Sequence, residues 1–406
     1  MSFQISVQPS GRSFQAEASE TLLAAGIRQG IGLPYGCKDG ACGSCKCKKI
    51  SGTVVHGPHQ DKALSADEEA QGLILTCCAT AQSDVVLESK QVTEEGGLPV
   101  KKMPVRVASL EKKSHDVVVL KLQLPANDPM KFRAGQYIEF ILRDNSRRSY
   151  SMANAPHTLE VSPPMVELHI RHMPGGKFTD PVFSTMKEKD ILRAEGPYGS
   201  FYLREDSDKP MVLLASGTGF APIKALIEHM QHTGSQRPAT LYWGGRRPAD
   251  LYMADWVEAQ LKTMPNLKYV PVISNAEAED HWTGRTGFVH QAVLQDFPDL
   301  SGHQVYACGA PIVVESASAT MWPRVACPAK SSTPTPSPPK PTSTEARRFH
   351  ATPFTSAGHC RTDRPARLVT EQADPPDRAL RAGRPAGCDG ARAGRARQGH
   401  AGHGDC

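Results

Sequence analysis

The chain has 406 residues, of which 39% are hydrophobic and 22% are charged. This composition excludes a collagen, a membrane protein and a wholly disordered chain, and the length predicts two to four domains. The 47 Lys and Arg residues against 42 Asp and Glu give a formal net charge of +5. The excess lies in residues 319–406, which contain 14 basic and 7 acidic residues, so the remainder is slightly acidic. We therefore expect no nucleic-acid partner.

The N-terminal sequence carries no targeting signal. It lacks a basic region followed by an apolar run, and the chain has no stretch of about 18 apolar residues, which a spanning helix needs. We expect a cytoplasmic protein with no membrane partner. Six of the 11 cysteines lie before position 80. In a reducing compartment, clustered thiols more often bind metal than form disulfides.

Residues 1–92 are predicted to form the first domain, and residues 93–102 a linker. The first domain contains a loop rich in glycine and cysteine. The apolar pattern predicts a short helix over 19–28, with Ser19 as N-cap, and strands over 3–8, 13–18 and 85–87.

Residues 103–206 are predicted to form a second domain of antiparallel strands. Gly and Pro turns separate the apolar runs, as is typical of a barrel. The predicted strands cover residues 105–107, 117–122, 137–142 and 166–170.

Residues 207–318 are predicted to form an α/β domain. Strands that alternate with helices indicate a parallel sheet with a ligand site at the carboxyl ends of its strands. The predicted strands cover residues 211–215, 239–243, 269–273 and 304–308. The predicted helices cover residues 221–232, 255–263 and 288–294. The pattern stops after Ser316, and we predict a disordered tail over 319–406, rich in Pro, Ser, Arg, Ala and Gly.

The cysteines of the first domain have the spacing of an iron–sulfur site. Cys37, Cys42 and Cys45 follow the plant-type ferredoxin pattern, and Cys77 supplies a fourth thiolate 31 intervening residues later. Two irons bridged by sulfide need four thiolates, so these residues are predicted to hold a two-iron two-sulfur cluster. The alternatives are a zinc site, which usually has two close Cys pairs, or reduced structural thiols.

A second cysteine follows the predicted fourth ligand. Leu75-Thr-Cys-Cys-Ala resembles the Leu-x-Cys-Gln-Ala pattern of ferredoxin domains. The resemblance implies that Cys77 is the ligand and that Cys78 is a bystander. Cys47 falls outside the pattern and is predicted to be a packed thiol.

Two motifs of the second domain resemble those of ferredoxin–NADP reductase-type flavoproteins. Arg148-Ser-Tyr-Ser is similar to the Arg-x-Tyr-Ser signature of that family. The resemblance implies that Arg148 pairs with the FAD diphosphate, for which a guanidinium is suited, that Tyr150 packs on the isoalloxazine, and that Ser151 approaches its N5. The alternative is an ordinary barrel strand.

The second flavin motif lies about 25 residues further along. Its Pro-Gly-Gly-Lys-Phe-Thr run ends at Thr179 and is similar to the second flavin segment of the family. There Gly175, Gly176 and Thr179 would present backbone N–H groups and a hydroxyl to the diphosphate. The occurrence of both motifs in order makes an ordinary strand and turn the weaker interpretation.

The third domain begins with a glycine-rich turn. Ser216-Gly-Thr-Gly-Phe-Ala-Pro follows a predicted strand and opens a predicted helix. In this context the turn fits a backbone cradle for the nicotinamide dinucleotide diphosphate. The candidate binding residues are Gly217, Thr218, Gly219 and Pro222.

Two later segments also resemble nucleotide-facing parts of the family. Val305-Tyr-Ala-Cys-Gly-Ala-Pro implies that Cys308 lies near the nicotinamide, with Gly309 beside the cofactor. The alternative for Cys308 is a buried residue that ends a core strand. In Tyr242-Trp-Gly-Gly-Arg-Arg, Arg246 and Arg247 could meet a 2′-phosphate or lie in solvent. NADPH therefore stays open, although the resemblance favours NADH.

The resemblance covers residues 1–317 and implies a β-grasp ferredoxin domain, a flavin-binding barrel and a nucleotide-binding domain. It also implies an NADH-dependent reductase that passes electrons through FAD and the cluster to a partner enzyme. The N-terminal arrangement is similar to CDP-6-deoxy-3,4-glucoseen reductases and to reductase components of multicomponent oxygenases. Thr76-Cys-Cys and Trp243-Gly-Gly-Arg favour the former.

Four lysines near the cysteine loop predict a basic rim that attracts an acidic docking face on the partner. The alternative is a solvated charged loop. The four residues are Lys38, Lys46, Lys48 and Lys49.

The C-terminal region departs from the family pattern. Relatives continue the Cys-Gly-Ala-Pro strand with a helix and a short strand near the flavin. Here the predicted helix starts at Ile312 and is lost after Ala317. Two hypotheses follow, a changed reading frame near residue 318 or a disordered natural extension. A third function therefore stays open, an inactive redox-binding protein.

Overall fold

A computed structural model describes most of the chain. The described residues all belong to one unit within Met1–Pro375. They are residues 1–89, 92, 98–127, 130–310, 312–314, 316–317 and 320–321, together with the backbone of 368–372. Within this part of the chain, every helix is too short or too polar to cross a bilayer.

The N-terminal domain is a mixed sheet crossed by a short helix. Strand order is β2-β1-β7-β3-β5, with β1 and β7 parallel and the other pairs antiparallel. The strands of this domain are β1 (Ser2–Gln8), β2 (Arg12–Glu17), β3 (Lys46–Ser51), β4 (Val54–His56), β5 (Leu73–Leu75), β6 (Ala79–Ala81) and β7 (Val85–Glu88). Its helices are α1 (Leu22–Arg28) and α2 (Ala66–Ala70). This is the β-grasp arrangement that the sequence predicted.

Helix α1 begins later than the sequence predicted. Its N-cap is Thr21, whose hydroxyl accepts a hydrogen bond from the N–H of Ala24 at 3.3 Å, and not Ser19. The cap is fixed by tertiary structure, because Thr21 also forms a β-bridge with Thr80. The helix buries Leu22 and Leu23 against the sheet.

The second domain is an antiparallel barrel. Strand order is β11-β10-β13-β8-β9-β12, and a bridge between Met152 and Leu168 joins the two outer strands. The strands are β8 (Lys101–Lys112), β9 (Val117–Gln123), β10 (Tyr137–Ile141), β11 (Arg147–Ser151), β12 (Met165–Arg171) and β13 (Ile191–Tyr198), with helix α3 (Thr179–Ser184) after β12. Leu120, Phe140 and Ile170 pack inside.

The third domain is a parallel sheet flanked by helices. Strand order is β17-β16-β15-β14-β18-β19. The strands are β14 (Met211–Ser216), β15 (Ala239–Gly245), β16 (Leu267–Ile273), β17 (Arg285–Thr286), β18 (Gln304–Gly309) and β19 (Leu368–Gln372). The helices are α4 (Phe220–His232), α5 (Ala254–Thr263) and α6 (Val289–Asp296). Because β14 lies in the sheet interior, its carboxyl end faces a crevice between neighbouring strand ends.

The described part of the C-terminal region differs from the predicted tail. Residues 312–314, 316–317 and 320–321 are helical, and Met321 is fully buried in the third domain, so the prediction that this helix is lost after Ala317 is wrong. Strand β19 pairs in parallel with β18, which corrects the prediction of disorder for residues 368–372. The rest of the predicted tail lies outside the described residues.

Candidate functional site

Four cysteine thiols converge at the loop between α1 and β3. The Sγ atoms of Cys45 and Cys77 are 3.2 Å apart, and the Cys37 thiol hydrogen-bonds with those of Cys42 and Cys77. The backbone N–H of Cys37 donates to Sγ of Cys42, and that of Cys42 to Sγ of Cys37, both at 3.3 Å. Ser44 adds an N–H to the Cys42 sulfur. The loop thus gathers sulfur atoms and directs donors at them.

Glycine is required where this loop turns. Gly40 has φ of +76°, and a Cβ there would lie 2.7 Å from both Sγ of Cys78 and Cβ of His59. Neither the dihedral nor the space admits a side chain. The turn brings Cys42 back toward Cys37.

The other two cysteines of this domain lie beside the group. Sγ of Cys78 is 3.5 Å from Sγ of Cys77 but lies against Gly40. Cys47 is buried on β3, and burial raises the pKa of its thiol to about 12 despite a hydrogen bond with Ser89. Cys47 is therefore a packed neutral thiol.

The first flavin motif forms strand β11. Tyr150 contacts Phe140 and Phe178, with ring centroids 5.9 and 5.2 Å away. Ser151 stands opposite Tyr137 in the register of β10 and β11. Because Phe178 belongs to the second motif, its contact with Tyr150 brings the two predicted flavin segments together.

The second motif forms a tight turn before α3. The Thr179 hydroxyl donates to the carbonyl of Met173 at 2.8 Å, and the Gly176 N–H donates to the same oxygen. The Gly175 N–H donates to Asp180. These hydrogen bonds fix the shape of the turn that carries the three predicted FAD-binding residues. No described side chain caps the start of α3.

The glycine turn of the third domain lies where two strand ends meet. A Cβ on Gly219 would lie 2.3 Å from the carbonyl oxygen of Cys308 and 2.5 Å from Cα of Gly309. Only glycine permits this approach of β14 to β18. The Trp243 indole N–H donates to the Gly217 carbonyl at 3.2 Å, and its ring stacks on Phe220 at 3.9 Å.

Helix α4 begins directly after this turn. Its N-cap is Gly219, and no side chain in the described residues caps its first turn. Pro222 is buried in that first turn, and Thr218 is half-buried in the turn before it. Cys308 is buried at the end of β18. Since the first N–H groups of a helix attract anions, the crevice is suited to a phosphate group.

The two arginines after β15 have different surroundings. Arg247 contacts three carboxylates, with 2.7 Å to Glu277, 2.8 Å to Glu279 and 2.7 Å to Asp280. Arg246 is exposed. From the sequence, either arginine was a candidate to bind a 2′-phosphate. In the structure, Arg247 is paired with acidic side chains.

Three family models match the chain. They are described as a 2Fe-2S iron-sulfur cluster binding domain (residues 5–82), an oxidoreductase FAD-binding domain (104–202) and an oxidoreductase NAD-binding domain (213–319).

Curated relatives span all three domains. CDP-6-deoxy-L-threo-D-glycero-4-hexulose-3-dehydrase reductase of Yersinia pseudotuberculosis is 41% identical over 317 residues, which are 78% of this chain and 93% of the relative. Phenol hydroxylase P5 protein of Acinetobacter pittii is 34% identical and matches 79% of this chain and 90% of its own length. The chain belongs to the family of ferredoxin reductase-type flavoproteins that carry a two-iron two-sulfur domain.

A solved structure agrees with this assignment. The Amycolatopsis cytochrome P450 reductase GcoB has a TM-score of 0.66 and 33% identity, covering 79% of this chain and 95% of its own. The predicted family, fold class and cofactors are confirmed. This reductase is an oxidoreductase that passes electrons from NADH through FAD and the cluster to an electron-accepting partner, and the alternative of an inactive redox-binding protein is not favoured.

The residues present fit the cofactors of the family. The N–H groups of the cysteine loop donate to sulfur, as suits thiolates that hold a cluster. Arg148 places a guanidinium, which suits a diphosphate, on β11. The first turn of α4, which no described side chain caps, suits a phosphate of a dinucleotide, and Gly219 lets the turn before it pack against Cys308 and Gly309.

The structure adds an interface between the cysteine loop and the barrel that sequence patterns did not indicate. The Tyr137 hydroxyl donates to the Gly36 carbonyl at 3.1 Å. Ser200 binds the backbone of Tyr35, donating from its hydroxyl at 2.7 Å and accepting at 3.0 Å. No local motif marks these residues, because their partners are more than 100 positions away. The loop that carries Cys37 therefore contacts the strand beside Ser151.

Two of the four lysines in the predicted basic rim are paired with carboxylates. Lys38 lies 2.8 Å from Glu139 of the barrel, and its ammonium sits over the Tyr198 ring at 3.6 Å. Lys46 pairs with Glu68, and Lys49 donates to a backbone carbonyl. Lys48 is exposed.

Proposed function

We propose that this reductase oxidises NADH and delivers the electrons to a partner dehydrase that acts on a nucleotide-activated deoxysugar. The observation that carries the proposal is that the cluster loop contacts the flavin-binding barrel within one unit. The loop of Cys37 contacts β10, whose Tyr137 stands opposite Ser151. Similarity to the Yersinia reductase over 93% of its length supports the acceptor class. When bound, the nicotinamide and flavin handle electron pairs and the cluster handles single electrons.

The cluster is held by the four converging thiols. The short separation of the Cys45 and Cys77 sulfur atoms favours Cys77 over Cys78 as the fourth ligand. The ligands are Cys37, Cys42, Cys45 and Cys77.

The flavin lies against β11. Arg148 pairs with its diphosphate, and the turn that contains Gly175, Gly176 and Thr179 contacts the same diphosphate. Tyr150 packs on the ring system, and Ser151 is the catalytic hydroxyl beside its N5. The support is the contact of Tyr150 with Phe178, which joins both segments.

The dinucleotide lies across the crevice between β14 and β18. Its diphosphate meets the first turn of α4, and its nicotinamide approaches Cys308, a catalytic residue in this assignment. The close contact of Gly219 with Gly309 supports this arrangement, since it holds the turn before α4 against the end of β18, where Cys308 lies. The cofactor-binding residues are Gly217, Thr218, Gly219, Pro222 and Gly309.

NADH is preferred over NADPH because Arg247, one of the two arginines after β15, is already paired with carboxylates. Arg247 shares its guanidinium among Glu277, Glu279 and Asp280, so a 2′-phosphate would meet a locally acidic surface. Carboxylates suit a ribose 2′-hydroxyl, whereas an uncommitted Arg suits a 2′-phosphate. The triple variant E277Q/E279Q/D280N is expected to bind 2′-phospho-ADP-ribose more tightly than wild type does, by calorimetry. An unchanged preference for ADP-ribose would contradict this assignment.

The acceptor docks through an acidic face in the reducing cytoplasm. Lys48 is the exposed member of the four lysines, and the seven described cysteines are free thiols. Because the other three lysines have partners within the chain, K48E is expected to weaken electron delivery less than 10-fold and to flatten its salt dependence. Unaltered salt dependence would refute an acidic docking face at this loop.

The experiment that tests the function is a comparison of acceptors. NADH is mixed with the purified reductase, and delivery is measured to a nucleotide-sugar dehydrase and to a hydroxylating oxygenase. The proposal expects faster delivery to the dehydrase. A preference for the oxygenase would support the second candidate function, which similarity to the phenol hydroxylase component favours. Absence of flavin and cluster bleaching by NADH would refute both.

A further inference from the structure

The boundary between the barrel and the nucleotide-binding sheet buries charged side chains. Lys224, in the second turn of α4, has a side chain that is 4% exposed. Burying an ammonium is costly unless it is paired and hydrogen-bonded. The partners of Lys224 therefore decide what this residue does.

The Lys224 ammonium joins the two domains. Its Nζ lies 3.2 Å from Oε1 of Glu167 on β12 and also contacts Glu228, one turn further along α4. It donates to the carbonyl of Ala153 at 3.2 Å, and the ring of Trp256 lies 5.0 Å away. One cation thus binds a carboxylate from each domain and a backbone oxygen of the barrel.

A second link runs beside the first. The N–H of Ala155 donates to Oε2 of Glu228 at 3.0 Å. On the other side of the same segment, the N–H of Ala153 donates to the Glu167 carbonyl, and the N–H of Glu167 donates to Oδ1 of Asn154. Residues 153–155 are therefore fixed both to β12 and to α4.

His169 keeps Glu167 charged and oriented. Its Nε2 lies 3.1 Å from Oε1 of Glu167, and its Nδ1 lies 2.8 Å from the Tyr252 hydroxyl. Burial lowers the pKa of His169, so the ring is neutral near pH 7. Nε2 then donates to the carboxylate and Nδ1 accepts from Tyr252. The carboxylate that meets Lys224 consequently has a fixed direction.

This network connects the predicted flavin segment around Ser151 with the predicted dinucleotide turn around Gly219. Ala153 lies two residues after Ser151, and Lys224 lies five residues after Gly219. We propose that Lys224 is a positioning residue for hydride transfer, because it fixes α4 and the dinucleotide turn against the backbone that continues the flavin strand. In that step the C4–H bond of NADH breaks with its electron pair, NADH becomes NAD⁺, and the hydride passes to the flavin. The inference rests on the proposed function.

The test compares K224M with wild type, using the full chain loaded with FAD and cluster. Because a displacement of about 1 Å costs on the order of 100-fold in rate, flavin reduction by NADH is expected to slow about 10- to 100-fold. The primary isotope effect with 4-deuterated NADH is expected to rise. Flavin content, cluster absorbance and the Kd for ADP-ribose, which lacks the nicotinamide, are expected to stay within about threefold. K224R is expected to recover part of the rate.

The control is K262M, which removes an exposed lysine of α5 and is expected to leave every readout unchanged. Where K224M loses its flavin, E228Q carries the test, since it weakens the Lys224–Glu228 pair and the link to Ala155 but leaves the Lys224–Glu167 pair in place. Three outcomes would overturn the inference. The first is an unaltered rate of flavin reduction in a variant that keeps its flavin, and the second is a parallel loss of ADP-ribose binding. The third is loss of flavin from both K224M and E228Q. Failure of NADH to reduce the wild-type flavin would instead refute the proposed function.

Discussion

Glu139 is the charge that holds the cluster loop against the barrel, and its neutralisation gives the sharpest test of that contact. Its side chain is 4% exposed and lies 2.8 Å from both Lys38 and Arg147. E139Q would leave two cations facing one another across a neutral amide. Removing one partner of a buried ion pair costs about 3–5 kcal/mol. Arg147 retains its pairing with Glu195 and is 43% exposed, so we expect about 2–3 kcal/mol.

The assay for E139Q combines urea denaturation with rapid mixing. The free energy of unfolding is expected to fall by this amount, and cluster reduction after mixing with NADH is expected to slow relative to flavin reduction, because the loop of Cys37 loses its anchor. The matched control is E68Q, which removes the more exposed Lys46–Glu68 pair and is expected to cost less than about 1 kcal/mol. Equal losses in the two variants, or an unchanged ratio of cluster to flavin reduction, would refute the reasoning.

Three further predictions follow from named contacts. C77S is expected to abolish the cluster absorbance because it removes a converging thiol, whereas C78S is expected to retain it; the reverse result would make Cys78 the ligand. G219A is expected to weaken NADH binding about 100-fold while the flavin and cluster spectra persist. The reason is that the added Cβ would lie 2.3 Å from the carbonyl oxygen of Cys308. Near-normal NADH binding, measured by titration, would contradict this prediction. Burial raises the pKa of Glu167, but the His169 hydrogen bond and the charge of Lys224 outweigh it and lower the pKa to about 2 from 4.5. A depressed folded-state pKa stabilises the protein above the unfolded value, so Glu167 contributes at most about 3 kcal/mol near neutral pH and loses it as pH falls from about 4.5 to about 2. Urea unfolding of wild type and E167Q across that range should converge, and a constant difference would exclude this linkage.

Sequence patterns predicted the fold well where the signal is local. Each predicted strand of the α/β domain appears, because short, mostly apolar runs such as Met211–Ser216 between helical segments are typical of buried parallel strands. Patterns also indicated the cysteine loop, since the ligand spacing itself reflects cluster geometry.

Sequence patterns were less accurate where a contact with a distant segment decides the outcome. The N-cap of α1 shifted to Thr21 because a bridge to Thr80 fixes it. Strand β19 forms because β18 offers an edge, which no pattern near residue 368 indicates.

The sequence by itself determined which chemistry this chain carries. Three short patterns carry this information: the cysteine spacing, the Arg-x-Tyr-Ser strand and the glycine turn. Because the cofactor fixes their residue types, they can be recognised in the sequence without knowledge of the fold. Tertiary structure decided how those parts are joined. Lys38 pairs with Glu139 of the barrel and does not form part of an unpaired basic rim. Lys224 pairs with Glu167 of another domain. Both pairings involve carboxylates that are far away in the chain. Charge pairing across domains depends on proximity in space, and a linear pattern does not contain that proximity.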